Sequence, residues 1–319
     1  KTISFYKYHY LENPQEFRDE IFSRWFPLDC FGRIYVAREG INAQMSVPEH
    51  YFETFLKMME DYEILNGIPI KYAIEDNGKS FYKLTIKVRP KLVADGLDDG
   101  TYDVTNVGKH LSGVEFHNQI GKENTVVVDM RNYYESEIGH FVGAICPEAD
   151  TFREELELVS RVLEDKKDKK ILLYCTGGIR CEKASAFLKN NGFNDVNQLH
   201  GGILEYARQI KTLKLESKFI GKNFVFDERL GENVNGEVIS KCHQCGSSCD
   251  THTNCDNKGC HILFIQCGNC TEKYHGCCTP ECSDQKMGIL PAKKENRIVF
   301  GNSRKFRKSL SLLRSENEK

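Results

Sequence analysis

The run Ile171-Leu172-Leu173-Tyr174 carries no charge and leads straight into Cys175, two glycines and an arginine. An apolar run without polar alternation is a strand buried on both faces, and such strands belong to parallel sheets covered by helices on either side. From Glu182 onward, Lys183, Ala184, Ala186, Phe187 and Leu188 follow a helical period. The stretch therefore reads as buried strand, tight loop and helix, which commits this part of the chain to an α/β architecture. A thiol at that junction meets three influences. Gly177 and Gly178 let the loop amides turn inward, the helix N-terminus adds partial positive charge, and Arg180 adds a full one. All three favour thiolate, so Cys175 is expected below the ~8.5 of a free cysteine. Thr176, Gly177, Gly178, Ile179 and Arg180 are the expected anion or oxyanion cradle around it. Cys181 closes the loop. It reads either as a small residue at the helix start or as a thiol able to resolve an oxidised Cys175.

Cys175-Thr176-Gly177-Gly178-Ile179-Arg180-Cys181 resembles the active loop of rhodanese domains. Upstream, the strand Thr125 to Val128 is followed by Asp129-Met130-Arg131 and then by Gly139-His140-Phe141-Val142-Gly143-Ala144. Downstream comes Leu199-His200-Gly201-Gly202-Ile203. These segments are similar to the remaining rhodanese signatures and stand in the same order. The resemblance assigns 118–212 to a rhodanese domain, with helices at 151–165, 181–191 and 202–209. It gives Asp129 and Arg131 a supporting, loop-holding role and makes His140 structural.

Residues 1–90 read as a separate ferredoxin-like (acylphosphatase-like) α+β domain in the order βαββαβ. Ile3 to Tyr10 is rich in strand formers. Pro14 to Phe26 is a helix with Pro14 near its start and Phe17, Ile21, Phe22 and Trp25 on one face. Strands follow at 33–37 and 41–47, a helix at 48–62 and an alternating strand at 82–88. Sheets of this kind can serve as nucleic-acid platforms, and Tyr6, Tyr8, Arg33, Tyr35, Arg38 and Asn42 are the candidate contacts. The turn Arg38-Glu39-Gly40-Ile41-Asn42 reads as a contact loop. Residues 91–117 have no clear period and are expected to connect the two domains.

Ten of the fourteen cysteines fall between Cys242 and Cys282. That clustering suits metal sites in a reducing compartment better than a disulfide framework. Two Cys-x-x-Cys pairs, Cys242/Cys245 and Cys267/Cys270, are separated by 21 residues, slightly beyond the usual zinc spacing of about 15–20. They form the natural tetrahedral set, with thiolates reaching one Zn²⁺ at about 2.3 Å. Cys255, Cys260, Cys278 and Cys282 form a second set. Cys249, Cys277, His252 and His261 are spare ligands for either. An iron–sulfur cluster is the competing metal. So small and polar a module, spanning 213–290 with its lead-in, needs a metal to fold. From Pro291 the tail holds nine Lys or Arg against three Glu, a charge of +6 in a chain of net −2, which leaves −8 elsewhere. That asymmetry suits a polyanion, with Lys305 and Arg307 as candidate contacts.

No apolar run approaches the ~20 residues of a membrane span, and no signal peptide is visible at Lys1; with cysteines clustered as in metal sites, the expected compartment is the cytoplasm. The three parts together resemble the rhodanese-related tRNA wobble-uridine 5-hydroxylases over nearly the whole chain. The motifs behind this are Arg38 to Asn42, Cys175 to Cys181, Cys242-His243-Gln244-Cys245-Gly246 and Cys249-Asp250-Thr251-His252. The resemblance implies oxygen-dependent hydroxylation at carbon 5 of the wobble uridine in a tRNA anticodon loop, with molecular oxygen as co-substrate. No flavin or nicotinamide fingerprint is visible. Carbon 5 of uracil is a poor nucleophile, and addition of a thiolate to carbon 6 would activate it. Two other readings stay open from the residues alone: a thiosulfate or persulfide sulfurtransferase, and a zinc-dependent tRNA-binding protein.

Overall fold

In the computed structural model, the described residues are 1–76, 78–98 and 100–291. The N-terminal domain packs a five-stranded sheet against two helices. Its strands are β1 (Thr2–Tyr8), β2 (Phe31–Ala37), β3 (Gly40–Ser46), β4 (Lys71–Tyr72) and β5 (Leu84–Val88), in the order β4-β1-β3-β2-β5. Helix α1 (Pro14–Trp25) starts under an Asn13 cap, with Pro14 in its first turn, and buries Phe17, Ile21 and Trp25. Those side chains meet Phe52, Phe55 and Met59 of α2 (Phe52–Glu60) in one core. The order β4-β1-β3-β2 is the ferredoxin-like arrangement. The expected final strand, 82–88, forms as β5 but on the opposite edge, parallel to β2. The place beside β1 goes instead to the two-residue β4, which is too short to show any period.

The second unit is built on four parallel strands in the order β6-β10-β9-β7: β6 (Lys109–Leu111), β7 (Thr125–Asp129), β9 (Lys170–Tyr174) and β10 (Asp195–Leu199). The expected connector therefore carries structure of its own. β6 lies inside it and α3 (Gly113–Gln119) begins there, and Leu111 and Phe116 enter the core of the parallel sheet. A three-residue edge strand and a two-turn helix are too short for their periodicity to register. Helices α5 (Phe152–Val162) and α6 (Ile179–Asn190) pack on one face with Val128, Ile171 and Leu173. Helix α7 (Gly202–Leu213) and α3 cover the other face with Val127, Leu172 and Tyr174. Between β7 and α5 lie α4 (Tyr133–Ser136) and β8 (Gly139–Phe141), and β8 pairs with β11 (Phe219–Asn223), which in turn pairs with β12 (Glu232–Asn233).

The cysteine-rich segment forms a small hairpin, β13 (His252–Asn254) with β14 (Leu263–Ile265), followed by α8 (Gly268–Lys273) and α9 (Pro280–Lys286). Leu263 and Ile265 pack on Tyr134, Ile138 and Phe224, and His243 Nε2 lies 2.8 Å from Glu137 Oε1. The module is thus seated on α4 and the residues after it. The basic tail, including Lys305 and Arg307, lies outside the described residues apart from Pro291. Among the described residues no helix is long and apolar enough to cross a membrane.

Phe141 ties the layers together. Its ring centroid lies 4.7 Å from those of Tyr174 and Tyr206 and 5.3 Å from those of Phe116 and Phe219. Phe141→Ala should cost ~3–5 kcal/mol, as truncation of a buried aromatic does, read as a lower urea midpoint for the far-ultraviolet transition.

Candidate active site and cysteine clusters

Cys175 stands at the C-terminal end of β9, the place where parallel sheets present their sites, and is almost completely buried. Gly178, at φ 102°, begins α6 and donates its backbone N–H to Cys175 Sγ at 3.1 Å. A side chain there would be strained by φ and would place its Cβ 2.8 Å from the Tyr6 hydroxyl. Gly202 faces a similar demand at φ 67°, since a Cβ would lie 2.5 Å from the carbonyl oxygens of Cys175 and Thr176. That close approach lets Ile203 N–H reach the Cys175 carbonyl at 3.0 Å and Leu204 N–H the Thr176 carbonyl at 3.3 Å.

Burial by itself raises the Cys175 pKa. It is overcome by a hydrogen bond from Cys181, the charge of Arg180, and the backbone N–H groups of Arg180 and Gly178, which together bring it down to about 6. Cys181 moves the opposite way. Burial and its neighbour's thiolate push it well up, so it is the protonated donor of the pair.

Arg180 is bound to a residue that no sequence motif marks as part of the site. Its two terminal nitrogens meet the two carboxylate oxygens of Glu135 at 2.6 and 2.9 Å, with both side chains buried. Glu135 also accepts the Asn132 N–H at 3.1 Å. In sequence, Asn132 followed three residues later by Glu135 signals only a helix cap, which hides the ion pair. Asp129 and Arg131 form a second buried pair, with Nε–Oδ1 at 2.8 Å and Nη2–Oδ2 at 2.6 Å. Arg131 also donates to the Gly139 carbonyl, and the Tyr174 hydroxyl donates to Asp129 Oδ2 at 2.7 Å. These contacts fix the strand ends and do not point at Cys175. His140 donates to the Ser136 carbonyl at 2.9 Å. Glu155 is buried beside Arg180, and burial pushes its carboxyl well above the ordinary range, so it is held neutral.

The N-terminal sheet lies over this loop. Tyr6 donates to Glu182 Oε1 at 2.9 Å. Glu39, from the turn read as a contact loop, binds Lys183 Nζ at 3.0 Å, and Asp95 holds the same ammonium at 3.1 Å. Glu39 is thus an interdomain joint, while Arg38 beside it is exposed. A cavity of about 340 Å³ opens between the domains, within the usual size range of small-ligand pockets. Cys175, Thr176, Gly177, Ile179 and Arg180 border it from one side, and Arg33, Asn42 and Lys71 from the other. Lys71 lies in the two-residue β4, and nothing local in the sequence marks it.

The cysteine module brings two sets of four thiols together: Cys242, Cys245, Cys267 and Cys270, and Cys255, Cys260, Cys278 and Cys282. Within each set the sulfur atoms lie within 4.8 Å of one another. Backbone N–H groups of Cys267 and Cys278 point at Cys242 Sγ and Cys255 Sγ at 3.4 Å, which stabilises thiolate character. Four convergent sulfur donors with amide support fit a tetrahedral metal ion. The spare ligands go elsewhere. Cys249 packs on the cluster of Tyr134 and Phe224, and the His252 ring stacks edge-on to Phe224. Cys277 is buried in the core around the second set, and His261 is exposed.

Comparison with known proteins agrees with this three-part architecture. Residues 1–92 match the UPF0176 acylphosphatase like domain, 112–209 the rhodanese-like domain and 220–283 the rhodanase C-terminal. The tRNA uridine(34) hydroxylase of Leptospira interrogans is 57% identical over 300 residues, covering 94% of this chain and 81% of the relative. That of Salmonella typhimurium is 52% identical over 285 residues, covering 89% of this chain and 81% of its own length. The chain belongs to the tRNA uridine(34) hydroxylase family. For a hydroxylase of this family the described residues supply a thiolate bordering an interdomain cavity, and two four-thiol sets.

Arg180→Gln alone would leave Glu135 buried without its partner, at ~3–5 kcal/mol. Combined with Glu135→Gln it avoids that cost, and the pH midpoint for iodoacetamide alkylation of Cys175, followed by peptide mass spectrometry, should then move up from about 6.

Proposed function

We propose that the protein hydroxylates carbon 5 of the uridine at position 34, in the anticodon loop of tRNA, with Cys175 as covalent nucleophile. The observation that carries this reading is the Cys175 thiol, receiving the Gly178 amide and bordering an interdomain cavity, in a chain more than half identical to named hydroxylases. An unpaired loop base leaves its stack at small cost and enters the cavity. The Cys175 thiolate adds to carbon 6, and the 5,6 electron pair makes carbon 5 nucleophilic. Carbon 5 takes one atom of molecular oxygen, and the second leaves as water with two electrons from an external reductant. Loss of the carbon 5 proton and departure of Cys175 restore the ring. The loop amides of Thr176 to Arg180 stabilise the thiolate each time it is released. Arg33 and Asn42 line the cavity and are assigned to the flanking nucleotides, as are Arg38 on its exposed turn and Lys305 and Arg307 of the basic tail. Asp129, Arg131 and Cys181 support the loop.

The two four-thiol sets are assigned to structural Zn²⁺, one ion each. Their ligands converge only when the module is folded, so binding of the metal is itself folding energy. Elemental analysis should find two zinc ions per chain. Cys242→Ser and Cys255→Ser should each lose one, and finding iron with a visible charge-transfer band would favour a cluster instead.

Cys175→Ser should abolish 5-hydroxylation and leave the fold intact, because a serine hydroxyl is not ionised near neutral pH. The measurement is mass spectrometry of tRNA nucleosides after incubation with aerated enzyme and reductant. Wild-type turnover should rise with pH through about 6 as the thiolate forms. Turnover by a folded Cys175→Ser variant, or thiocyanate release from thiosulfate and cyanide as the only activity, would refute the reading.

A further inference from the structure

We propose that Lys71, supplied by the N-terminal domain, is a further catalytic residue at Cys175, its ammonium holding oxygen 4 of the uracil ring as that oxygen becomes negative. This rests on the reading of Cys175 as the carbon 6 nucleophile.

Lys71 projects from the edge of one domain into the site of another. β4 is the outermost strand beside β1 and packs against α7. The lysine stem passes the two glycine turns that bound the Cys175 loop. Its Cδ lies 4.0 Å from the position of a Cβ on Gly177, and its Cε 3.8 Å from that on Gly201. The ammonium sits 4.3 Å from the Tyr6 ring centroid. The side chain is only 8% exposed, and among the described residues it makes no ion pair or hydrogen bond. An ammonium buried without an anionic partner costs stability, and an aromatic face offsets only part of that cost. The Cys175 thiolate, Glu182 and Glu205 pull on it but none pairs with it directly, so the close anionic partner is sought in the ligand.

Position selects the partner. Arg180 and Lys71 both act on Cys175, and Arg180 is committed to Glu135 through both terminal nitrogens. Lys71 has its donors unspent. The thiolate already receives the Gly178 amide and the Cys181 thiol. When Cys175 Sγ bonds to carbon 6, the 5,6 π pair shifts toward carbon 4 and the carbonyl pair moves onto oxygen 4. The negative charge thus appears at oxygen 4, across the ring from the sulfur. Lys71, on the wall facing Cys175, supplies the positive charge there, and the pair returns to carbon 5 when that carbon reacts.

Burial brings the Lys71 pKa down to about 8, against the opposing pull of Cys175, Glu182 and Glu205. Tyr6, Lys7, Tyr8, Lys183 and His200 also border the space beside it, and Arg33, Arg180, Asp227, Arg229 and Glu232 line the cavity it shares with Cys175. Needed as the cation, Lys71 should lose function as pH rises through about 8.

The test uses full-length protein and a purified tRNA carrying unmodified uridine at position 34. Lys71→Met should lower kcat about 10²-fold or more, as loss of an oxyanion donor does, with KM changed only a few-fold. The alkaline limb near 8 in the kcat/KM profile should disappear, and Lys71→Arg should restore part of kcat with that limb shifted upward. The melting temperature of Lys71→Met should equal or exceed that of wild type, and Lys71→Gln repeats the test with a polar side chain. Unchanged kcat, or a raised KM with the alkaline limb intact, would overturn the proposal, the second result making Lys71 a phosphate contact. Turnover by Cys175→Ser in the same assay would instead overturn the nucleophile reading beneath it.

Discussion

The buried pair of Arg180 with Glu135 fixes the position of the reactive loop. Arg180 lies in the first turn of α6, just after the loop that holds Cys175, and Glu135 lies in α4, which follows the neighbouring strand β7. Two short hydrogen bonds in parallel leave the guanidinium little freedom, so the helix that begins beside Cys175 is pinned to the adjacent connection. A buried ion pair contributes little net stability against a well-packed apolar replacement, yet breaking it from one side is costly. Its consequence here is positional: the Arg180 charge is held where it lowers the thiol pKa. Burial pushes the carboxyl of Glu155, also near Arg180, well up, so the guanidinium is shared mainly between Glu135 and the Cys175 thiolate.

The same short helix links the site to the cysteine module. Glu135 faces Arg180, while Tyr134 and Ile138 pack on Leu263 and Ile265 and Glu137 meets His243. The module that carries the two four-thiol sets therefore buttresses the helix that holds Arg180. The N-terminal domain acts from the other side. Lys183, fully buried in α6, is neutralised by Glu39 of one domain and Asp95 of the linking segment. Tyr6 and Lys71 form a wall that the parallel-sheet domain does not possess. The reactive loop is complete within one domain, but the cavity over it needs two.

How much was legible in the sequence follows from the range of each interaction. The strand, loop and helix around Cys175 are local, and their residue types carry their own periods and turn chemistry. The first four-thiol set is legible for a similar reason, because Cys-x-x-Cys spacing is a statement about reach, while Cys255, Cys260, Cys278 and Cys282 lack that spacing and are grouped only as the cysteines left over. What escaped was non-local or doubly used. Glu135 looked like a helix cap and is one, but it also binds Arg180. Lys71 lies in a strand too short for any pattern, and its role exists only because two domains meet. The ferredoxin-like order was read correctly, while the strand assigned to its last position went to the opposite edge. Alternation identifies a strand but does not identify its neighbour. The stretch 91–117 read as a connector because β6 and the start of α3 are shorter than the windows in which periodicity registers.

Cys175 and Cys181 show how one loop can hold a reactive thiol in a buried place without losing it to its neighbour. Both are buried and both lie at the start of α6, yet their pKa values move in opposite directions. Burial favours the neutral form of each. Inward-turned amides and the Arg180 charge overcome that preference at one sulfur, and the second sulfur, kept neutral, becomes a hydrogen-bond donor to the first. Two thiolates so close would repel each other, so ionising one raises the cost of ionising the other. The loop therefore presents a single nucleophile near neutral pH. Attack of one thiolate on an oxidised partner needs the attacking sulfur ionised, and Cys181 is held in the protonated state. Once Cys175 is oxidised its thiolate no longer accepts that hydrogen bond, and burial is what still favours the protonated Cys181.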